Sequence, residues 1–128
     1  MKVSKPKNTF DDERGSIKDI LYNCQIDHIT IIEIKAGAIR GNHYHKQTIQ
    51  YIYMLEGKIL YRTRFPSGEI IDKFLIDGDL MLTEAFEAHA MRAECDAKFM
   101  VFTKGPRGGD DYESDTYRLE TPILTPEK

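Results

Sequence analysis

GAIRGNHYHKQTIQYIYMLEG, residues 37–57, is the stretch that decides the fold. Glycines stand at both ends, and between them lie two histidines one residue apart, a glutamine and an apolar run rich in Ile, Tyr and Met. Successive side chains of an extended chain point to opposite faces, so His43 and His45 share a face. Gln50 rejoins that face once the chain bends into the next strand. Residues 36–42, with Gly37 and Gly41, read as a loop. Residues 49–55 and 58–64 read as strands joined through Glu56-Gly57 as a tight hairpin.

Outward from that stretch the same grammar repeats. Residues 28–34 read HITIIEI, a strand signal, and residues 16–23 read as a first strand after Arg14-Gly15. Phe65-Pro66-Ser67-Gly68 is a turn, with strands expected at 69–76, 80–83, 89–94 and 99–104. The run from Phe99 to Phe102 is apolar on both faces, which places it mid-core. Residues 105–114, rich in Gly and Asp, read as loop. Helical periodicity is almost absent. The expectation is an all-β sandwich or barrel of at least eight strands, with no helix longer than about two turns.

The chain has 128 residues, a length that supports one core but makes two marginal. Residues 1–128 are therefore read as one domain, with loose arms at 1–9 and 121–128. A formal net charge of −3 argues against nucleic acid as a partner, which needs a clustered basic face. It leaves room for a phosphorylated small molecule, since a few arginines in one pocket are enough. No run approaches the ~20 apolar residues of a membrane span, and the polar opening residues lack a secretory signal. The expectation is a cytoplasmic protein whose two cysteines, Cys24 and Cys95, stay reduced.

The spacing of the quoted stretch resembles the first motif of the cupin superfamily: Gly, five residues, His-x-His, three or four residues, Glu, six residues, Gly. The second cupin motif, Gly, five residues, Pro-x-Gly, two residues, His, is matched in spacing by Gly78 and His89, with Glu84 and Phe86 where Pro and Gly stand. The resemblance implies a single cupin domain, a double-stranded β-helix or jelly-roll barrel, with His43, His45 and His89 converging on one pocket. Three imidazoles suit zinc, nickel or iron. Gln50 stands where the family carries a carboxylate, and a neutral ligand holds a divalent metal weakly. The metal set implied is His43, His45, Gln50 and His89.

A narrower resemblance is carried by Asp12-Glu13-Arg14-Gly15 and by Arg40-Gly41-Asn42-His43-Tyr44-His45-Lys46 with Gln50 following. These segments are similar to dTDP-sugar 3,4-ketoisomerases. Residues 35–45 and Asp115-Thr116-Tyr117 also look like the zinc-binding cupin domain of capsular UDP-sugar epimerase/reductases. The resemblance implies polysaccharide biosynthesis and an isomerase or epimerase of nucleotide-linked keto-sugars. It makes His43 or His45 the base and Arg14, Arg40, Lys46 and Gln50 substrate-binding residues. Those enzymes carry a pocket tyrosine where this chain has Thr30-Ile31-Ile32. Of the possible replacements Tyr51, Tyr53 and Tyr61, Tyr61 is favoured because Tyr51 faces away from Gln50. Two other functions stay open: a metal-dependent small-molecule oxygenase, and a non-catalytic sugar-binding cupin. His28 is read as a structural residue, and Arg62 and Arg64 as a solvated face. Tyr51 and Tyr53, facing away from Gln50, point to a homodimer surface.

Overall fold

The computed structural model describes residues 1–126. It is built from antiparallel strands: β1 (Lys2–Ser4), β2 (Phe10–Asp12), β3 (Gly15–Ile17), β4 (His28–Ile34), β5 (Ile39–Tyr44), β6 (Ile49–Glu56), β7 (Lys58–Arg64), β8 (Ile70–Ile76), β9 (Leu80–Thr83), β10 (Ala88–Ala93), β11 (Ala97–Lys104) and β12 (Tyr117–Arg118). A three-residue 3-10 turn, Gly109–Asp111, is the only helical segment among the described residues. No helix is long and apolar enough to cross a membrane. The all-β expectation holds.

Two five-stranded sheets, ordered β1-β9-β6-β11-β4 and β12-β5-β10-β7-β8, face each other as a jelly roll, and β2-β3 forms a separate hairpin. Alternation explains the arrangement. On β4, Ile34 is buried and Thr30 and Ile32 face the interior, whereas Ile29 and Ile31 are 63% and 60% exposed. Phe99 and Val101 of β11 enter the core, while Met100 and Phe102 lie half-buried on the opposite face. Met54, Ile59, Leu75, Met81 and Phe99 are fully buried in the core, where burying each side chain contributes roughly 1.5–3 kcal/mol.

Several expectations are corrected. Glu56-Gly57 does not close a hairpin, because β6 and β7 belong to different sheets. It is a corner with Gly57 at φ 102, where a Cβ would stand 2.6 Å from the Ala97 Cβ. Residues 39–44 form β5 rather than part of a loop. Of the expected 16–23 strand only residues 16 and 17 are extended, as part of β3, which pairs with β2. The arms are tied down rather than loose. β1 pairs with β9, the Met1 amino group contacts the Glu87 carboxylate, and Met1 packs on the core. Near the other end, the Asn42 Oδ1 accepts hydrogen bonds from Ile123 N and Leu124 N, and Leu124 is buried against Leu60 and Ala90. Residues 127 and 128 of the expected 121–128 arm lie outside the described residues.

Gly57→Ala is expected to destabilise the fold by about 2 kcal/mol or more, since it adds left-handed strain to a backbone clash. Urea denaturation of the two proteins measures it.

Candidate functional site

β5 and β10 are neighbours, and their register sets His43 directly opposite His89. A register shift follows between His89 and Ala90. Gly41 makes the close approach possible: a Cβ there would lie 2.8 Å from the His89 carbonyl oxygen. His45, just beyond β5, completes the group. The ring centroids are 4.8 Å apart for His43 and His45, 4.6 Å for His43 and His89, and 5.2 Å for His45 and His89. One ring nitrogen from each lies within 4.8 Å of the others, and all three side chains are buried.

Two backbone carbonyls set the tautomers. His45 Nδ1–H donates to the Asp115 carbonyl at 2.9 Å, and His89 Nδ1–H donates to the Glu87 carbonyl at 3.1 Å. The Nε2 lone pairs of both rings are thereby left for other partners. His45 Nε2 and His43 Nδ1 are buried with no hydrogen-bond partner among the described residues. Burial penalises the charged imidazole and holds His43 down to about 2, with the positive character of His89, His45, Arg107 and Arg118 pushing the same way. Burial likewise holds His89 at about 3. His45 is lowered chiefly by burial, with the Asp115 carbonyl pulling it back. Three neutral imidazoles with unshared lone pairs form a donor set that fits a divalent cation.

His43, Gln50 and His89 line a cavity of about 480 Å³ together with Thr30, Arg40 and Arg107. Gln50 is buried, with its side chain toward His45, so the structure brings it to the expected place. His45 sits behind the cavity wall. Other expected site residues fall elsewhere. Tyr61 is fully buried, stacked on the His89 ring at 5.8 Å, and its hydroxyl shares a hydrogen bond with the Thr83 hydroxyl. Burial raises its pKa, and it supports His89 from behind instead of entering the cavity. Lys46 is exposed and lies over the Tyr117 ring, 4.2 Å from its centroid. Arg14 sits at the exposed β2–β3 turn, bonded to Asp12 at 2.6 Å. Arg40 does line the cavity. Arg62 bonds Asp72 on the outer face, as a solvated face requires. His28 packs its ring against Gly108.

Asp115 is the residue whose role the sequence hid. Its carboxylate accepts the backbone N–H groups of Lys46, Gln47 and Thr48 at 2.8–3.0 Å. Burial pushes its carboxyl up, but these N–H groups outweigh that and hold it below the usual range. One residue therefore grips both the His45 ring and the turn after it. Arg107, Glu113 and Arg118 also line the cavity from the connection after β11. The available signal was the length of that connection, since long loops in compact domains are commonly functional.

A sequence-family model described as Polysaccharide biosynthesis C-terminal domain matches residues 10–117. Among solved structures, the chain is similar to dTDP-4-dehydrorhamnose 3,5-epimerase from Sulfolobus tokodaii, with 19% identity over 84% of this chain and 72% of that one, at TM-score 0.71. It is similar to QdtA, a sugar 3,4-ketoisomerase from Thermoanaerobacterium thermosaccharolyticum in complex with TDP, with 20% identity over 93% and 88%, at TM-score 0.75. It is also similar to the capsular polysaccharide assembling protein CapF from Staphylococcus aureus, with 21% identity over 92% of this chain and 33% of CapF, at TM-score 0.64. The chain thus spans about a third of CapF. These likenesses show the cupin fold. No curated protein matches the sequence.

Two outcomes are expected. Asp115→Ala should lower stability by about 2–4 kcal/mol, because three charge-assisted hydrogen bonds disappear, as urea denaturation will measure. Metal-free protein should melt at falling temperature as pH drops. His43 and His89 take up protons near pH 6.5 when unfolded but only near 2 and 3 when folded. The unfolded state then binds more protons, so stability is complete above about pH 6.5 and declines below it. A flat melting profile between pH 7 and 4 would contradict this assignment.

Proposed function

The chain belongs to the polysaccharide biosynthesis C-terminal domain family, and from that premise we propose that its histidine cavity binds a nucleotide-linked keto-sugar and moves a proton at the carbon beside the ketone. The observation that carries the reading is the group of three buried, neutral imidazoles, two of which, His43 and His89, line one cavity. Support comes from the similar structures, which include a dTDP-4-dehydrorhamnose 3,5-epimerase and a sugar 3,4-ketoisomerase in complex with TDP.

The carbon acid next to a carbonyl is weak, and a positioned base removes its proton. Of the two histidines that resemblance offers as base, His43 lines the cavity and His45 stands behind it, so the proton falls to a His43 ring nitrogen. Arg40 at the mouth meets the phosphate of the nucleotide. Gln50 offers its amide to the sugar hydroxyls. Tyr61 and the Glu87 carbonyl hold the His89 ring, and Asp115 holds His45.

The same rings fit a divalent cation. His43, His45 and His89 would hold it, with the Gln50 carbonyl oxygen as a weak fourth ligand. When bound, such a cation supplies stabilisation of negative charge on an enolate oxygen. The all-imidazole donor set favours a second reading, a metal-dependent cupin in which His43 is a ligand. One lone pair cannot hold a cation and take a proton, so adding zinc during the assay separates the two. Inhibition by zinc supports His43 as base, and activation supports the second reading.

A homodimer belongs to the proposal, although the surface differs from expectation. Tyr53 is already buried within one chain, whereas Ile29 and Ile31 on the outer face of β4 are among the exposed apolar residues. Light scattering at micromolar concentration should give twice the chain mass; a monomer mass removes the dimer.

Incubation of the protein with a TDP- or UDP-4-keto-sugar in heavy water should place deuterium beside the carbonyl, followed by NMR. His43→Asn should abolish the exchange. No exchange across a panel of such sugars sinks the enzymatic reading. Gln50→Glu should bind zinc about tenfold or more tightly than the parent by calorimetry, since it adds a negative charge at the same reach.

A further inference from the structure

Charge at the cavity mouth is distributed against the grain of the chain. The chain as a whole carries −3. The cavity wall nevertheless holds Arg40, Arg107 and Arg118 against one carboxylate, Glu113, while its histidines are neutral. Glu113 lies 2.9 Å from Arg118. Arg40 and Arg107 make no ion pair among the described residues. Among the described residues, Arg107 spends its Nε–H on the Thr116 hydroxyl at 3.0 Å. Its pKa is lowered mainly by burial, partly offset by Glu113, with Arg118 pushing it further down. Burial beside Arg118 costs the Arg107 charge more than Glu113 returns, and an anion in the cavity offsets the difference.

The arginines are also held in advance. Gly105 N donates to Asp27 Oδ2 at 2.8 Å, and the Gly105 backbone rests on Thr48. Gly108 is packed so tightly on the His28 ring that a Cβ would come within 2.2 Å of it. At the other end, Arg118 pairs in register with His43, and Leu119 N donates to the Asn42 carbonyl at 2.9 Å. The connection between β11 and β12 is thus clamped on both sides of the cavity and presents one guanidinium from each end.

We propose that Arg107 and Arg118, together with Arg40, form a diphosphate subsite at the mouth of the histidine cavity. The proposal rests on the nucleotide-linked substrate argued above and says where its diphosphate lies. Planar guanidinium forks match phosphate oxygens two at a time, and two surplus positive charges match the charge of a diphosphate better than that of a single carboxylate. The sugar then extends inward to His43, and the diphosphate lies across the entrance.

Calorimetry on the full chain tests this, with inorganic pyrophosphate, TDP and UDP as probes at low and high salt. Arg107→Gln, Arg107→Lys, Arg118→Gln and, as a control on the outer face, Arg62→Gln are compared with the parent, and circular dichroism verifies folding of each. The parent should bind all three probes, more weakly at high salt. Arg107→Gln and Arg118→Gln should each weaken binding at least about tenfold, the loss of one charge-assisted hydrogen bond. Arg107→Lys should fall between, and Arg62→Gln should stay within twofold of the parent. Absence of binding to the parent, or equal affinity in Arg107→Gln, overturns the subsite. Sodium glucuronate is the comparison arm: tighter binding of it than of pyrophosphate assigns the arginines to a sugar carboxylate and also overturns the proposal. The keto-sugar exchange assay keeps the two readings apart. Diphosphate binding through Arg107 without any exchange leaves the subsite standing and the isomerase reading fallen. Exchange whose KM is unchanged in Arg107→Gln does the reverse.

Discussion

Three imidazoles are buried side by side inside the barrel, and much of the surrounding structure follows from keeping them there uncharged. A buried cationic imidazole is expensive, and three would repel one another. Each ring is therefore neutral, and a neutral ring needs its single N–H satisfied. The carbonyls of Asp115 and Glu87 do this for His45 and His89. Those two acceptors come from distant parts of the chain, so the last connection and the turn before β10 are fastened to the site. Asp115 fastens it twice, through its carbonyl and through the three N–H groups its carboxylate collects. A left-handed backbone, φ 53 at Asp115, lets one residue face both ways.

The strands that alternate cleanly were legible. HITIIEI matches β4 at both ends because one of its faces is core and the other is not. The spacing of His43, His45, Gln50 and His89 pointed to one pocket, and the structure brings those four side chains together. What failed to read was tertiary. Gly41 looks like loop punctuation, yet it lies within β5 because His89 approaches its Cα. Glu56-Gly57 looks like a hairpin, yet the chain changes sheets there, and no local pattern distinguishes a corner from a hairpin. Lys46 shares a motif with pocket residues but projects outward, and Arg14 lies on a separate exposed hairpin. Arg107 sits in a Gly- and Pro-flanked loop, and only the fold carries that loop back over the cavity.

The second half-motif shows how a departure is absorbed. Phe86 stands where the family pattern has glycine, and it adopts φ 66, a region costing of order 1–3 kcal/mol for such a residue. The surroundings offset part of that. Phe86 N donates to the His45 carbonyl at 2.7 Å, and its ring stacks with Tyr44, which in turn stacks on Tyr117. The aromatic row runs along the outer side of the same strand whose inner side carries His43. The turn keeps the shape that glycine would give it, by contact rather than by freedom.

The pairing of His43 with His89 across β5 and β10 also bears on how the molecule comes into being. Every component of the pocket waits for a partner far along the chain: His43 for His89, His45 for Asp115, Gln50 for Thr83 and Thr103. On a ribosome the N-terminal half emerges with its histidines unable to find their neighbours, and its apolar strands face water until β10 and β11 arrive. Folding of such non-local topologies is slow, in the range of milliseconds to seconds. The pocket therefore closes late in the folding of this domain, once the segment bearing Asp115 can reach His45.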